Sequence, residues 1–302
     1  MRILVTGAAG TLGRSLLPAL VAAGHRPVAL DVRRGAGDAE WIEGDVRDPD
    51  DVAHAMRGAE LVVHAAALHG IHLAHHAPGA FHDLNLTGTF RVWEAAVAAG
   101  VRGVVFSSTM GVYGESRAPR GDAEVAWVHE GLRLRPTDIY GWTKVVGEDL
   151  CGYHPRAHAI PSIALRFGMF VPEPFVREGI RYLYGGVHVD DVRDAVMAAV
   201  LALETGGTGH MALNVESPLP FVPDDARALR TEPLAAVERH FPGARDLLAR
   251  RGIASLAPVT EVFAVERLRE ALGVTPRHSF GTWLAELRDR PTERASASPA
   301  WP

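Results

Sequence analysis

Residues 2–13, Arg-Ile-Leu-Val-Thr-Gly-Ala-Ala-Gly-Thr-Leu-Gly, confine the fold more tightly than any other stretch of the chain. The apolar run Ile3-Leu4-Val5 reads as a fully buried strand, and Thr11 to Ala23 reads as a helix. Three glycines join them. Gly7 permits a tight turn, Gly10 removes the Cβ that would block a pyrophosphate, and Gly13 lets the helix pack closely on the strand. The N–H groups and positive dipole end of that helix then face the phosphates. A second strand, Pro27 to Leu30, ends in Asp31, whose carboxylate suits the two ribose hydroxyls of an adenosine. Strand, glycine turn, helix, strand and acid in this order predict a dinucleotide site.

The rest of the chain agrees with an α/β reading. Short apolar runs at 41–43, 61–64, 104–106 and 162–167 alternate with helical stretches at 49–56, 81–99 and 138–153. Such alternation predicts a parallel, doubly wound sheet with helices on both faces and ligands at the carboxyl ends of the strands. After Phe167 the pattern changes. A helix at 190–203 and a strand at 212–215 still belong to the sheet. Prolines 218, 220 and 223 then lead into helical segments at 224–229, 234–241, 244–249, 260–272 and 282–287. The expected division is a Rossmann domain over 1–167, a small, mostly helical substrate lobe over 168–290 interleaved with the end of the sheet, and a mobile tail over 291–302.

Bulk properties exclude several classes. A chain of 302 residues, 47% hydrophobic and with a net charge of −5, is long enough for one large α/β domain or a nucleotide domain with a lobe. No basic stripe suggests nucleic acid, and no apolar run reaches membrane-spanning length. The single cysteine, Cys151, forms no internal disulfide, and a first strand starting at residue 2 predicts no signal peptide, so the expected compartment is the cytoplasm.

Two segments add chemistry. Tyr140 and Lys144 stand four apart in a predicted helix and so share a face. A nearby ammonium favours phenolate and would lower the Tyr140 pKa. The strand end Ser107-Ser108-Thr109 offers a hydroxyl to hold a substrate oxygen while Tyr140 moves the proton.

Together these motifs resemble the extended short-chain dehydrogenase/reductases, the NAD-dependent epimerase/dehydratase group, over residues 1 to about 215. Thr6-Gly7-Ala8-Ala9-Gly10-Thr11-Leu12-Gly13 matches the Thr-Gly-x-x-Gly-x-x-Gly fingerprint. Gly44-Asp45-Val46 is similar to the adenine-contacting segment, and His64-Ala65-Ala66-Ala67 to the loop under the cofactor. Asn85-Leu86-Thr87-Gly88-Thr89, Tyr140-x-x-x-Lys144 and His188-Val189-Asp190-Asp191-Val192 match in order, and Thr109 takes the catalytic hydroxyl position. The resemblance implies an NAD enzyme with Tyr140, Lys144, Thr109 and Ser108 as catalytic residues. The implied cofactor contacts are Gly7, Ala9, Gly10, Thr11, Leu12, Gly13, Asp31, Val32, Arg33, Asp45, Val46, Ala65, Ala66, Ala67, Asn85, Ser107 and Phe167, with Tyr140 and Lys144. A homodimer through helices 81–99 and 138–153 is also implied. Arg33 and Arg34 could accept a 2′-phosphate, but Asp31 would repel it, which favours NAD over NADP.

The departures concern substrate. The family's nucleotide-sugar enzymes carry an Asn-Val-Tyr-Gly-Pro-like run after the Arg of the strand at 162–167. Here the run is Arg166-Phe167-Gly168-Met169-Phe170-Val171-Pro172, and only Glu173 to Val187 separates it from His188. So short a wall predicts a small, unactivated substrate and resembles uronate dehydrogenase. The expected substrate contacts are Thr109, Met110, His69, Met169, Arg177 and Arg181, with either arginine as a carboxylate clamp. The loop 68–82 holds His69, His72, His75, His76 and His82. His72 and His76 have metal-pair spacing, but no carboxylate or cysteine before Asp83 completes a set, so a polar lid is expected and no metal. The reading is an NAD-dependent oxidoreductase acting on a hydroxyl of a small sugar, sugar acid or polyol. The alternatives are a sugar or nucleotide-sugar epimerase, and an NAD(P)H-sensing binding module.

Overall fold

A computed structural model describes residues 1–121, 124–207 and 209–290. The expected tail, 291–302, lies outside the described residues. Seven parallel strands form the central sheet in the order β3-β2-β1-β4-β5-β7-β8. They are β1 (Arg2–Thr6), β2 (Arg26–Asp31), β3 (Glu40–Glu43), β4 (Leu61–His64), β5 (Val104–Thr109), β7 (Ser162–Phe167) and β8 (His210–Val215). Near-continuous apolar runs make these strands, as a parallel sheet covered on both faces requires. Residue alternation divides each run between two cores. Ile3 and Val5 join Leu12, Leu16 and Leu20 of α1 (Thr11–Ala22) and Val192, Val196 and Val200 on one face. Leu4 and Val28 join Val52, Met56, Val92, Trp93 and Cys151 on the other.

The helices in chain order are α1, α2 (Pro49–Met56), α3 (Pro78–Phe81), α4 (Gly88–Ala99), α5 (Ile139–His158), α6 (Phe175–Arg181), α7 (Val189–Glu204), α8 (Ala226–Thr231), α9 (Pro233–His240), α10 (Ala244–Ala249), α11 (Glu266–Leu272) and α12 (Phe280–Asp289). Local chemistry sets several starts. The Asp48 side chain accepts from the N–H groups of Asp50 and Asp51, with Pro49 in the first turn of α2. Asp138 likewise caps α5 through the Gly141 N–H.

The sequence expectations differ from the structure in four places. The stretch 81–99 is not one regular helix: His82–Thr87 is a π turn between α3 and α4. α5 runs five residues past Tyr153, through Pro155. Proline leaves the carbonyl four residues earlier without its helical donor. The Ser162 hydroxyl donates to that carbonyl, Cys151 O, at 2.7 Å. Segment 260–272 begins as strand β9 (Glu261–Phe263) rather than helix, because it pairs in parallel with β6 (Ala126–Val128). α6 lies in the short wall, where no helix was expected. A third apolar core joins Ile180 and Leu183 to Leu229, Val237, Leu248, Phe280 and Trp283. Trp283 occupies the notch at Gly179, where a Cβ would lie 1.9 Å from its ring, and its indole N–H donates to Phe175 O at 3.0 Å.

Candidate active site

Strand order reverses at β1, which pairs with β2 on one side and β4 on the other. Such a switch point opens a crevice at the carboxyl ends of the strands. β1 ends there in the glycine turn. Gly7 has φ +67°, and a Cβ on it would lie 2.7 Å from Ala66 N. Gly13 is required for a different contact than expected: its Cβ would meet the Ala8 carbonyl oxygen at 2.2 Å, so the helix closes on the turn itself. A Cβ on Gly10 would meet only Gly7 O, at 3.1 Å. No side chain caps α1 and no acid stands in its first turn, so Thr11, Leu12 and Gly13 begin a helix whose positive end favours an anion. Asp31 Oδ2 accepts from Ala9 N at 3.0 Å and Oδ1 from Arg33 N at 3.1 Å, which fixes the acid beside the turn. Val32 and Arg33 are exposed. Arg47 grips the Asp45 carboxylate and holds its pKa below the ordinary range. Val46 packs under Gly88. The bare helix start, the Cβ-free cradle and the placed acid fit a dinucleotide.

A buried chain of hydrogen bonds underlies Ala65, Ala66 and Ala67. Thr6 Oγ1 accepts from Ala65 N and Ala66 N, both at 3.2 Å, and meets His64 Nδ1 at 2.7 Å. His64 Nε2 lies 2.9 Å from Thr89 Oγ1, whose proton goes to Asn85 O at 2.6 Å. The accounting assigns the His64 proton to Nε2, with Thr6 donating to Nδ1. Burial pushes the His64 pKa down to about 3, so it stays neutral. Asn85 serves this scaffold. Its amide donates to Leu68 O and Thr143 Oγ1 and accepts from Leu68 N, so the loop and α5 are tied together, and its side chain is spent on protein partners rather than turned to a cofactor.

Thr109, Tyr140 and Lys144 come together at the end of β5. The Tyr140 hydroxyl is near enough to the Thr109 side chain to be influenced by it, and Thr109 Oγ1 accepts from Gly111 N at 3.1 Å. Lys144 Nζ donates to Ser107 O at 2.8 Å and stands 4.8 Å above the Phe106 ring. The expected electrostatic effect differs. Burial pushes the Tyr140 phenol up to about 12, against the opposing pull of Thr109. Lys144 does not offset this: it lies 6.0 Å from the Tyr140 ring centroid, and burial drives its own pKa down to about 8.

Ser108, on the opposite side of the pleat, donates instead to Glu148. Glu148 holds Arg166 in a two-pronged ion pair, at 2.9 and 2.6 Å, with both side chains about 5% exposed. Arg166 reaches the Tyr113 hydroxyl at 2.9 Å, which donates to Asn214 Oδ1 at 2.6 Å. This network ties β5, α5, β7 and β8 together beside Thr109 and Lys144. It was missed as a functional support, although the four-residue spacing of Lys144 and Glu148 already put them on one helix face.

Among the expected substrate contacts, Met169 forms an isolated bridge to Gly186, and Met110 Sδ lies 3.0 Å from the Cβ position of Gly185. Phe167 is buried against Phe170. Arg177 and Arg181 do not stand as a ready carboxylate clamp: both bind Glu173 from their own wall. His69 stacks obliquely on His72, ring centroids 4.3 Å apart, and the adjoining Gly70 packs near Tyr140. His72 Nδ1 accepts from His69 N, and the His72 and His76 rings meet edge to face.

Comparison with known proteins agrees with this geometry. The NAD dependent epimerase/dehydratase family matches residues 3–177. The chain is 36% identical over 185 residues to an L-arabinose 1-dehydrogenase (NAD(P)(+)) of Haloferax volcanii, covering 59% of this chain and 70% of the relative. It is 30% identical over 219 residues to a uronate dehydrogenase of Pseudomonas putida, covering 69% and 74%. A crystal structure of UDP-galactose 4-epimerase superposes with a TM-score of 0.69 at 26% identity, over 95% of this chain and 97% of the other. Seven parallel strands with a glycine-rich turn at the switch point, the placed Asp31 and the Tyr140–Lys144 pair thus accompany a match over more than half the chain, and the protein belongs to the NAD dependent epimerase/dehydratase family.

Proposed function

We propose that the protein oxidises a hydroxyl of a small, unactivated sugar, sugar acid or polyol with NAD as hydride acceptor. The observation that carries the reading is the gathering of Tyr140, Thr109 and Lys144 at the end of β5, beside a wall of only Glu173 to Val187. The residues at 168–290 supply that wall, and those at 1–167 hold the cofactor at the glycine turn, Asp31 and Asp45. When bound, NAD takes the hydride from the carbon that carries the hydroxyl. Thr109 orients that hydroxyl. Tyr140 receives its proton, which requires the phenol to be brought down from about 12. Lys144 holds its Nζ at Ser107 O on the β5 end, from where it would hold the cofactor ribose. Asp31 favours NAD, since a 2′-phosphate would meet its negative charge. The likeness to arabinose and uronate dehydrogenases supports net oxidation, and the likeness to UDP-galactose 4-epimerase keeps epimerisation as the second reading. A homodimer in the cytoplasm is part of the proposal.

Steady-state assays with matched free and nucleotide-linked sugars, each with NAD and NADP, test it. The expected result is NADH formation with free sugars and an NAD preference. A higher kcat/KM for a nucleotide-linked sugar, with isomerised product and no net NADH, would replace oxidation by epimerisation.

A further inference from the structure

Glu216 follows β8 directly and is 1% exposed, yet neither carboxylate oxygen has a hydrogen-bond partner among the described residues. The neighbouring Ser217 hydroxyl, 4% exposed, is equally unpartnered. Two adjacent orphaned polar groups are unusual, because buried polar atoms in folded proteins nearly always have partners. Their position gives the reason. Thr109 pairs in register with Phe167, and Phe167 with Val215, so the residue before Glu216 lies two strands from the reacting hydroxyl. Two strand spacings are on the order of 10 Å between backbones.

Met110 contacts the Gly185 position, and the Gly185 carbonyl and the Glu216 carboxyl both crowd Gly168. A Cβ at residue 168 would lie 1.9 Å from Glu216 Oε2. Gly168 therefore makes the space into which the Glu216 carboxyl reaches, at the end of the strand adjoining the catalytic one.

We propose that Glu216 and Ser217 form a subsite for the hydroxyl groups at the far end of the substrate and restrict the enzyme to neutral sugars and polyols. A carboxyl and a hydroxyl offer both donor and acceptor capacity to a diol, which meets their unmet hydrogen bonds. The surroundings oppose a sugar acid. Burial raises the Glu216 pKa, Glu261 adds to the rise and Arg117 opposes it, and Arg117 is paired with Glu261 at 2.7 Å. The two wall arginines are bound to Glu173. A substrate carboxylate placed here would leave water beside a cation, Arg117, that is already paired with Glu261, and burying a charge without its own counter-ion is strongly disfavoured. The inference rests on the oxidoreductase reading and narrows its substrate class.

The test compares wild type, Glu216→Gln and Glu216→Met with NAD, using arabinose and galactose against galacturonate, together with calorimetric NAD affinity and thermal unfolding. Wild type is expected to prefer the neutral sugars by about tenfold or more in kcat/KM, as a difference in transition-state binding. Glu216→Met should raise KM for them about tenfold with a smaller change in kcat, whereas Glu216→Gln, which keeps donor and acceptor, should stay within about threefold. Neither variant should lose NAD affinity or lower Tm, because no protein partner is removed. A Glu216→Met KM within about twofold of wild type, or a lowered Tm in both variants, would assign Glu216 a structural role and overturn the subsite. Preference for galacturonate would overturn the exclusion of acids. Turnover of no sugar by wild type would remove the oxidoreductase reading and the subsite with it.

Discussion

The two sides of the crevice are built on opposite principles. On the β1–β2 side, the polar groups that define the site are already engaged by protein: Asp31 with the N–H groups of Ala9 and Arg33, Asp45 with Arg47, and Thr6 with His64. At the β7–β8 end, the Glu216 carboxylate and the Ser217 hydroxyl are buried and have no hydrogen-bond partner among the described residues. A site held in shape by its own hydrogen bonds binds one ligand in one pose at little ordering cost. A site with unmet hydrogen bonds gains its full complement only with the right substrate, and a ligand that lacks the matching group leaves it unsatisfied. The first arrangement suits a cofactor shared by a family, and the second suits discrimination among substrates.

Three substitutions can break or sharpen that contrast. The largest effect is expected at the junction of the two sides. Tyr140→Phe should leave NAD affinity within about threefold while lowering kcat by about 10³ or more, since only the acid/base hydroxyl is lost. Calorimetry and single-turnover kinetics measure the two separately. A variant that kept about a tenth of wild-type kcat would remove Tyr140 from the proton transfer. Glu148→Ala comes next. It leaves the buried Arg166 guanidinium without its carboxylate, a loss of about 3–5 kcal/mol in unfolding free energy. Denaturant titration should show this, and a loss below 1 kcal/mol would mean that water already screens the pair. Gly13→Ala should be the mildest, about 1–3 kcal/mol, because the new methyl must push the Ala8 carbonyl aside. It should also weaken NAD more than it weakens a sugar. Equal weakening of both would show that the two sides are mechanically one.

The same contrast explains what could be read in the sequence. The β1 turn, the Tyr140–Lys144 spacing and the strand ends were legible because each follows a local rule: a positive φ, a helical repeat, or a buried apolar run. β6 and β9 were not, because three residues at 126–128 and three at 261–263 become strands only by finding each other across more than 130 positions. The passage of α5 through Pro155 depended on a hydroxyl at Ser162, on another element. The placement of Lys144 and Tyr140 was legible, but their pKa values were not, since burial at about 8 and about 12 is a property of what packs around them. Glu216 carried one faint signal, an acid directly after the buried strand Ala212–Val215. Nothing local distinguishes that acid from a solvated loop residue.

The crowding at Gly168 also makes change at positions 168 and 216 unequal. Glu216 Oε2 lies where any side chain at 168 must begin. Adding a methyl at 168 would turn the Glu216 carboxyl aside and would also meet the Gly185 carbonyl oxygen, 2.7 Å from the Cβ position. Shortening residue 216 relieves only the first of these contacts, because the second is backbone. Variation at this place is therefore open at 216 and closed at 168. A library that varies the two positions together would still return glycine at 168, whatever stands at 216.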